Sequence, residues 1–202
     1  MNLVKKLAGE KTYLSPLMPE HAALWYRWHN DMETALLAAS PGHRSPGTEA
    51  EYRETIEAFL KRKFHVFLIV DIENDEPIGW CGLIQVDPFN RRAVLAALIG
   101  EKDRWSKGAG TDALRLLLDY GFNIVNLNSI ELIVHESNQR AVRCYEKLGF
   151  QITGRKREAR ILGRRIEDIL LMDILAEDFE SPVIGPLSNG PMIRVLRDDA
   201  LG

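Results

Sequence analysis

A run that is apolar on both faces, Ala93-Val94-Leu95-Ala96-Ala97-Leu98-Ile99, stops just before a two-glycine turn, Trp105-Ser106-Lys107-Gly108-Ala109-Gly110-Thr111. That turn opens a segment of helical period reaching about Val125. A strand with no polar face has to lie inside a sheet, covered on both sides. The rest of the chain must therefore supply neighbouring strands and the helices that cover them.

The flanking segments read that way. Lys11 to Leu17 is a short strand ending near a proline. Pro19 opens a helix, since proline is tolerated in a first turn, and helical spacing continues to about Ala39, with Asn30-Asp31 as an interruption. Ser40 to Gly47 is a breaker cluster and reads as a loop, a plausible mobile lid. Thr48 with Glu51 has the capping-box pattern and starts a helix running to about Lys63. The period then changes: Phe64–Val70, Ile78–Val86 and Ala93–Ile99 form an antiparallel meander with short turns. After the Thr111 helix come a strand at Ile130–Val134 and a helix from Asn138 to a glycine stop at Leu148-Gly149. Two strands follow, Phe150–Ala159 and Ile166–Ile174. The expected fold is α/β: a single mixed, mostly antiparallel sheet flanked by helices. Residues 1–176 form the domain and 177–202 an extended tail. Within the tail, the apolar run Met192–Leu196 predicts an extra strand and a homodimer that covers it.

Composition narrows the partners. The chain has 202 residues, ample for a core without disulfide or metal staples. With Lys+Arg 26 against Asp+Glu 29, the net charge of -3 argues against a nucleic-acid footprint. No apolar run reaches a membrane span, and the N-terminus lacks the apolar stretch of a signal peptide. Cys81 and Cys144 read as small reduced residues, consistent with a cytoplasmic protein and no metal site.

Two segments carry chemistry. In the glycine turn, the backbone can approach a ligand closely, and the helix behind it presents unpaired N–H groups and a positive dipole end. Lys107 adds a cation. This suits a pyrophosphate, although an ordinary glycine turn has the same appearance. In the second segment, Asn138 to Phe150, Asn138 and Tyr145 lie two helical turns apart on one face, and Ala141 keeps that face open. An N-cap asparagine and a packed tyrosine would look no different.

In this order, with a strand between them, the two segments resemble the GNAT superfamily of N-acetyltransferases, which move an acetyl group from acetyl-CoA to an amine. The turn is similar to that family's pyrophosphate loop. Asn138-x-x-Ala141-x-x-x-Tyr145-x-x-x-Gly149-Phe150 is similar to its helix signature. The resemblance covers about residues 10 to 176. It looks closest to the RimJ/RimL-like branch, through Arg27-Trp28-His29-Asn30-Asp31, Ile99-Gly100-Glu101-Lys102, Asp119-Tyr120-Gly121-Phe122 and Gly154-Arg155-Lys156-Arg157-Glu158. Trp105 departs from the Gln or Arg that usually begins the loop.

The resemblance implies acetyl-CoA as co-substrate and a primary amine as acceptor, either a protein N-terminal α-amine or a small molecule. It implies that backbone groups of Leu98, Ile99 and Gly100 pair with the pantetheine arm. The turn, Trp105 and Lys107, Gly108, Ala109, Gly110 and Thr111, would hold the pyrophosphate. Asn138 and Ala141 would line the cofactor. Tyr145 would protonate the leaving thiolate. No carboxylate occupies Ala93–Ile99, where many relatives keep a general base; Asp87, Glu131 and His135 are the candidates elsewhere. An α-amine needs a base less than a lysine does, because its pKa near 8 leaves a tenth neutral at pH 7. The basic set Arg155, Lys156, Arg157, Arg160, Arg164 and Arg165 reads as a solvated hairpin face, and would repel a polyamine if it faced the site. A non-catalytic acetyl-CoA-binding module is the alternative.

Overall fold

The computed structural model describes residues 2–38 and 46–185. The loop Ser40–Gly47 lies almost wholly outside the described residues, as does the Met192–Leu196 run on which the dimer expectation rests.

Among the described residues, eight strands form one sheet in the order β1-β2-β3-β4-β5-β6-β8-β7. They are β1 (Leu7–Ala8), β2 (Thr12–Pro16), β3 (His65–Asp71), β4 (Pro77–Asp87), β5 (Arg92–Ile99), β6 (Ser129–His135), β7 (Gln151–Leu162) and β8 (Arg165–Leu175). Every pairing is antiparallel except β5 with β6, which is parallel. The apolar strand β5 sits inside the sheet, as its composition requires. β1, only two residues long, gives no periodicity to read and was not foreseen.

Helices cover both faces. On one, α1 (Ala22–Asn30) and α3 (Glu49–Lys61) bury Trp25, Trp28 and Ile56 against Val66, Leu68, Trp80 and Leu98. On the other, α4 (Ala109–Asn123) and α5 (Gln139–Lys147) close over Leu95, Ile130, Leu132, Val134, Leu170 and Met172. The helical stretch expected from Pro19 is a 3-10 turn, α1, the interruption expected at Asn30-Asp31, and α2 (Met32–Leu37). Asp31 makes the break. Its backbone is extended, and its carboxylate accepts the Thr34 N–H at 3.0 Å, capping α2 as an N-cap side chain does. The Thr48–Glu51 capping box forms as expected, and Gly149 takes φ +98 behind α5.

The expected extended tail is docked as far as residue 185. Asp119 on α4, fully buried, accepts hydrogen bonds from the Val183 and Ile184 N–H groups (both 2.9 Å) and from the Ser181 hydroxyl, while Phe179 packs on Phe122. Among the described residues no helix is long and apolar enough to cross a membrane. Both cysteines are free thiols.

Candidate active site

β5 and β6 pair only through Arg92–Ser129, Ala93–Ile130 and Val94–Glu131. Beyond Val94 the strands part, so the later half of β5 turns backbone groups into an opening. Which residues do so follows from the β4 ladder. Gly100 N–H donates to Ile78 O at 2.9 Å. In an antiparallel pair, alternate residues face the same neighbour. Leu98 and Gly100 therefore face β4, and Ala97 and Ile99 face the opening. Of the three residues expected to pair with a pantetheine arm, only Ile99 is so placed; Ala97 joins it. The Ile99 carbonyl accepts from Trp105 Nε1 at 2.8 Å, leaving the Ile99 N–H.

At the same end stands the glycine turn. Gly108 is the N-cap of α4 with φ +88, a left-handed conformation glycine adopts without strain, and Ser106 is also positive at φ +61. No side chain among the described residues caps this helix, so its first N–H groups meet an incoming anion together with the positive dipole end. A Cβ on Gly110 would meet only the Ile99 side chain, at 3.6 Å. The fold does not need a glycine there, whereas close approach of a ligand does.

Two residues absent from the sequence reading hold the turn. Lys11 Nζ donates to Lys107 O at 2.9 Å. Asp112, in the first turn of α4, accepts from the N–H groups of Glu10, Lys11 and Thr12 and from the Thr12 hydroxyl at 2.7 Å. The β1–β2 turn thereby fixes where α4 begins. Both contacts join segments about a hundred residues apart, and no local pattern signals them.

α5 forms the other wall. Asn138 is its N-cap, accepting the Ala141 N–H at 3.2 Å, and its Nδ2 donates to Leu37 O at 3.3 Å. Ile99, Ala141, Cys144 and Tyr145 are each partly buried and pack against the α4–α5 core. Thr111 Oγ1 lies 3.2 Å from Cys144 Sγ, tying the glycine turn to the tyrosine's helix. The Tyr145 ring meets Phe150 edge-on at 5.7 Å, and its hydroxyl has no hydrogen-bond partner among the described residues. Burial pushes the phenol well above its usual pKa, with Cys144 adding to the shift. It is therefore a neutral hydroxyl whose proton no described residue claims.

These features, an opened parallel strand pair, an uncapped helix N-terminus and a phenol between them, coincide with a known family. The model of the acetyltransferase (GNAT) domain matches residues 11–151. The chain belongs to the GNAT acetyltransferase family.

Its relatives agree. An N-acetyltransferase p20 of Bacillus licheniformis is 34% identical over 120 residues, 59% of this chain and 67% of that protein. The spermidine N(1)-acetyltransferase of Escherichia coli K12 is 37% identical over 79 residues, 39% of this chain and 42% of the enzyme. The fold matches the structure of Vibrio cholerae spermidine N-acetyltransferase with CoA and spermine at TM-score 0.74 and 24% identity, covering 83% of this chain and 96% of that one. This GNAT protein is accordingly an acetyl-CoA-dependent N-acetyltransferase that transfers acetyl to an amine.

The loop's departure at Trp105 acquires a physical meaning. The Arg140 guanidinium lies over the Trp105 ring, 3.9 Å from its centroid, a cation–π contact. Arg140 has no carboxylate within ion-pair distance among the described residues. Burial lowers its pKa from the usual arginine value, opposed by the field of Glu33. α5 thus brings a guanidinium onto the first residue of the loop. Arg140→Ala is expected to raise the KM for acetyl-CoA by roughly tenfold, the scale of one lost charged hydrogen bond, with kcat little changed. Steady-state kinetics with acetyl-CoA varied check this.

Neither carboxylate candidate stands in the opening. Asp87 lies at the β4–β5 turn beside Arg92, the opposite end of β5 from Ile99, and accepts from Phe89 and Asn90 N–H groups. Glu131 is exposed on β6. His135 closes β6 with Nε2 3.3 Å from Ala38 O. His29, not considered from sequence, is stacked on Tyr52, and burial lowers its pKa to about 4. Its Nε2 accepts from Trp80 Nε1 at 3.3 Å, which leaves the ring proton on Nδ1 and no lone pair to act as a base.

Proposed function

We propose that this N-acetyltransferase acts on a primary amine with little further positive charge, an α-amine of a peptide or small molecule, and that it does so in the opening between β5 and β6. The carrying observation is the state of the carboxylates around the opening. Asp31 and Glu33 share Lys102 (2.8 and 3.3 Å), and Glu101 pairs with Arg27. Glu136 and Asp168 share Arg155 (2.9 and 2.8 Å), and Glu167 pairs with Arg160 at 2.6 Å. A polyamine is bound through several ammonium groups, each wanting an unclaimed carboxylate, and every one of these already has a cation. The strand Ala93–Ile99 carries no carboxylate, which points the same way.

Bound acetyl-CoA supplies the thioester. The Ala97 and Ile99 backbone groups would align it as an added strand, and the α4 N-terminus with Arg140 would hold its diphosphate. α4 and α5 occupy one face of the sheet, so the amine approaches from the other, past the end of α2. An N–H donor in the opening would stabilise negative charge gathering on the acyl oxygen. Tyr145 would give its proton to the departing sulfur. The same desolvation that raises the phenol's pKa also raises that of a thiol beside it, so the transfer stays near balance. The RimJ/RimL-like affinity and a cytoplasmic location belong to this reading.

The polyamine reading is favoured by the names of the relatives. Release of CoA thiol with a panel of amines separates the two. An N-terminally free peptide or small α-amine is expected to show the highest kcat/KM. That value should climb with pH to about 8 and then level, following the neutral fraction of an α-amine. Spermidine as the preferred acceptor would overturn the charge argument.

A further inference from the structure

Three consecutive carbonyls at the end of α2 are each met by a side chain from a different element across the opening. Leu36 O accepts from Arg160 Nη2 of β7 at 2.5 Å, Leu37 O from Asn138 Nδ2, and Ala38 O lies 3.3 Å from His135 Nε2. A helix end leaves its last carbonyls without internal partners. α2 has six residues, too few to be stable alone, and it ends in extended backbone at Ala38 with no glycine cap. The position of this end is therefore set from outside.

Arg160 dominates the clamp. It is 6% exposed in a strand whose side chains are otherwise largely exposed. The pairing of β7 with β8 shifts register between Lys156 and Arg160, and Glu158 takes φ +51 there. Such a bulge re-aims the side chains that follow. One arm of the guanidinium meets Glu167 across the hairpin, and the other reaches back to a neutral carbonyl. Its Nε is buried without a partner, a cost an apolar residue would avoid. Fold stability alone does not select this arrangement. His135 follows Val134, and alternation along β6 puts its side chain on the face away from α4 and α5. The clamp therefore stands on the face from which the amine approaches.

We propose that Arg160 is a positioning residue for the acceptor: by fixing Leu36–Ala38 it sets the wall past which the amine reaches the thioester. This rests on the reading of the β5–β6 opening as the transfer site. Asn138 belongs to the same clamp and caps the helix that carries Tyr145. The wall is thus registered to the proton donor by side chains.

The test uses Arg160→Met, Arg160→Lys and the double variant Arg160→Met/Glu167→Leu. Methionine alone strands a half-buried carboxylate and endangers folding; the double variant replaces the ion pair by apolar groups, a change that is often neutral or stabilising. Lysine keeps a charge for Glu167 but lacks the second arm. In each folded variant, KM for the best amine of the panel should rise about tenfold or more. The Kd for acetyl-CoA, titrated directly, should stay within about twofold, and amide hydrogen exchange over residues 34–38 should speed up. A double variant with the parental acceptor KM, or with unchanged exchange over 34–38, overturns the proposal. Failure of the parent to bind acetyl-CoA would instead overturn the site reading, and the exchange result would still decide whether the clamp holds α2.

Discussion

Replacing Tyr145 by phenylalanine is expected to lower kcat by about two orders of magnitude or more, the usual cost of losing a positioned proton donor, with acetyl-CoA affinity nearly unchanged. The substitution removes one hydroxyl and keeps the ring against Phe150. That hydroxyl bonds to no described residue, so its loss breaks no structural hydrogen bond and the fold should be as stable as the parent. The sign of the pH effect follows from burial. The phenol's pKa is raised, so the proton is present throughout the range below the ordinary tyrosine value near 10, and the parent's kcat should show no alkaline fall there from this group. In the phenylalanine variant, an acetyl donor with a more acidic leaving thiol should recover part of the loss, because such a thiolate departs with less help. Turnover within about twofold of the parent, with chemistry rate-limiting, would return Tyr145 to a packing role.

The second large effect is expected at Gly110. Gly110→Val should abolish acetyl-CoA binding or raise its Kd by about a hundredfold or more, the two-logarithm scale of a steric clash worth roughly 3 kcal/mol. The protein should remain folded. The reason is local: φ at Gly110 is ordinary, and a Cβ there meets only the side chain of Ile99 at 3.6 Å, so the branched methyls project into the ligand's space. Gly108 makes the contrast. At φ +88 any side chain is strained, so Gly108→Val should cost stability as well as binding. Isothermal titration for affinity and thermal unfolding for stability separate the two glycines. Parental affinity in a folded Gly110→Val protein would remove the turn from the cofactor site.

Much of the site was legible because its chemistry is local. The turn needs its glycines within a few residues of a strand end, and Asn138, Ala141 and Tyr145 share a face because a helix repeats every 3.6 residues. Those constraints act over short stretches of chain, so they appear as spacing. Arg160 shows the opposite case. Charge clustering places it among the solvated arginines of the hairpin, yet a bulge that no such pattern encodes turns it inward to α2. The interruption at Asn30-Asp31 was legible because it too is local: an aspartate carboxylate there caps a new helix instead of continuing the old one.

The sequence by itself determined the order of elements, the interior place of Ala93–Ile99, the anion-ready turn and the phenol two turns along its helix. Each follows from local propensity and periodicity. Only the tertiary structure decided that β5 and β6 part after Val94, which turns Ala97 and Ile99 rather than Leu98 and Gly100 toward the opening. It alone brought Arg140 onto Trp105, Asp112 onto the β1–β2 turn, and Arg160, Asn138 and His135 onto the end of α2. These are contacts between side chains and partners distant in sequence. Their energy depends on geometry that exists only once the sheet and both helical layers have closed.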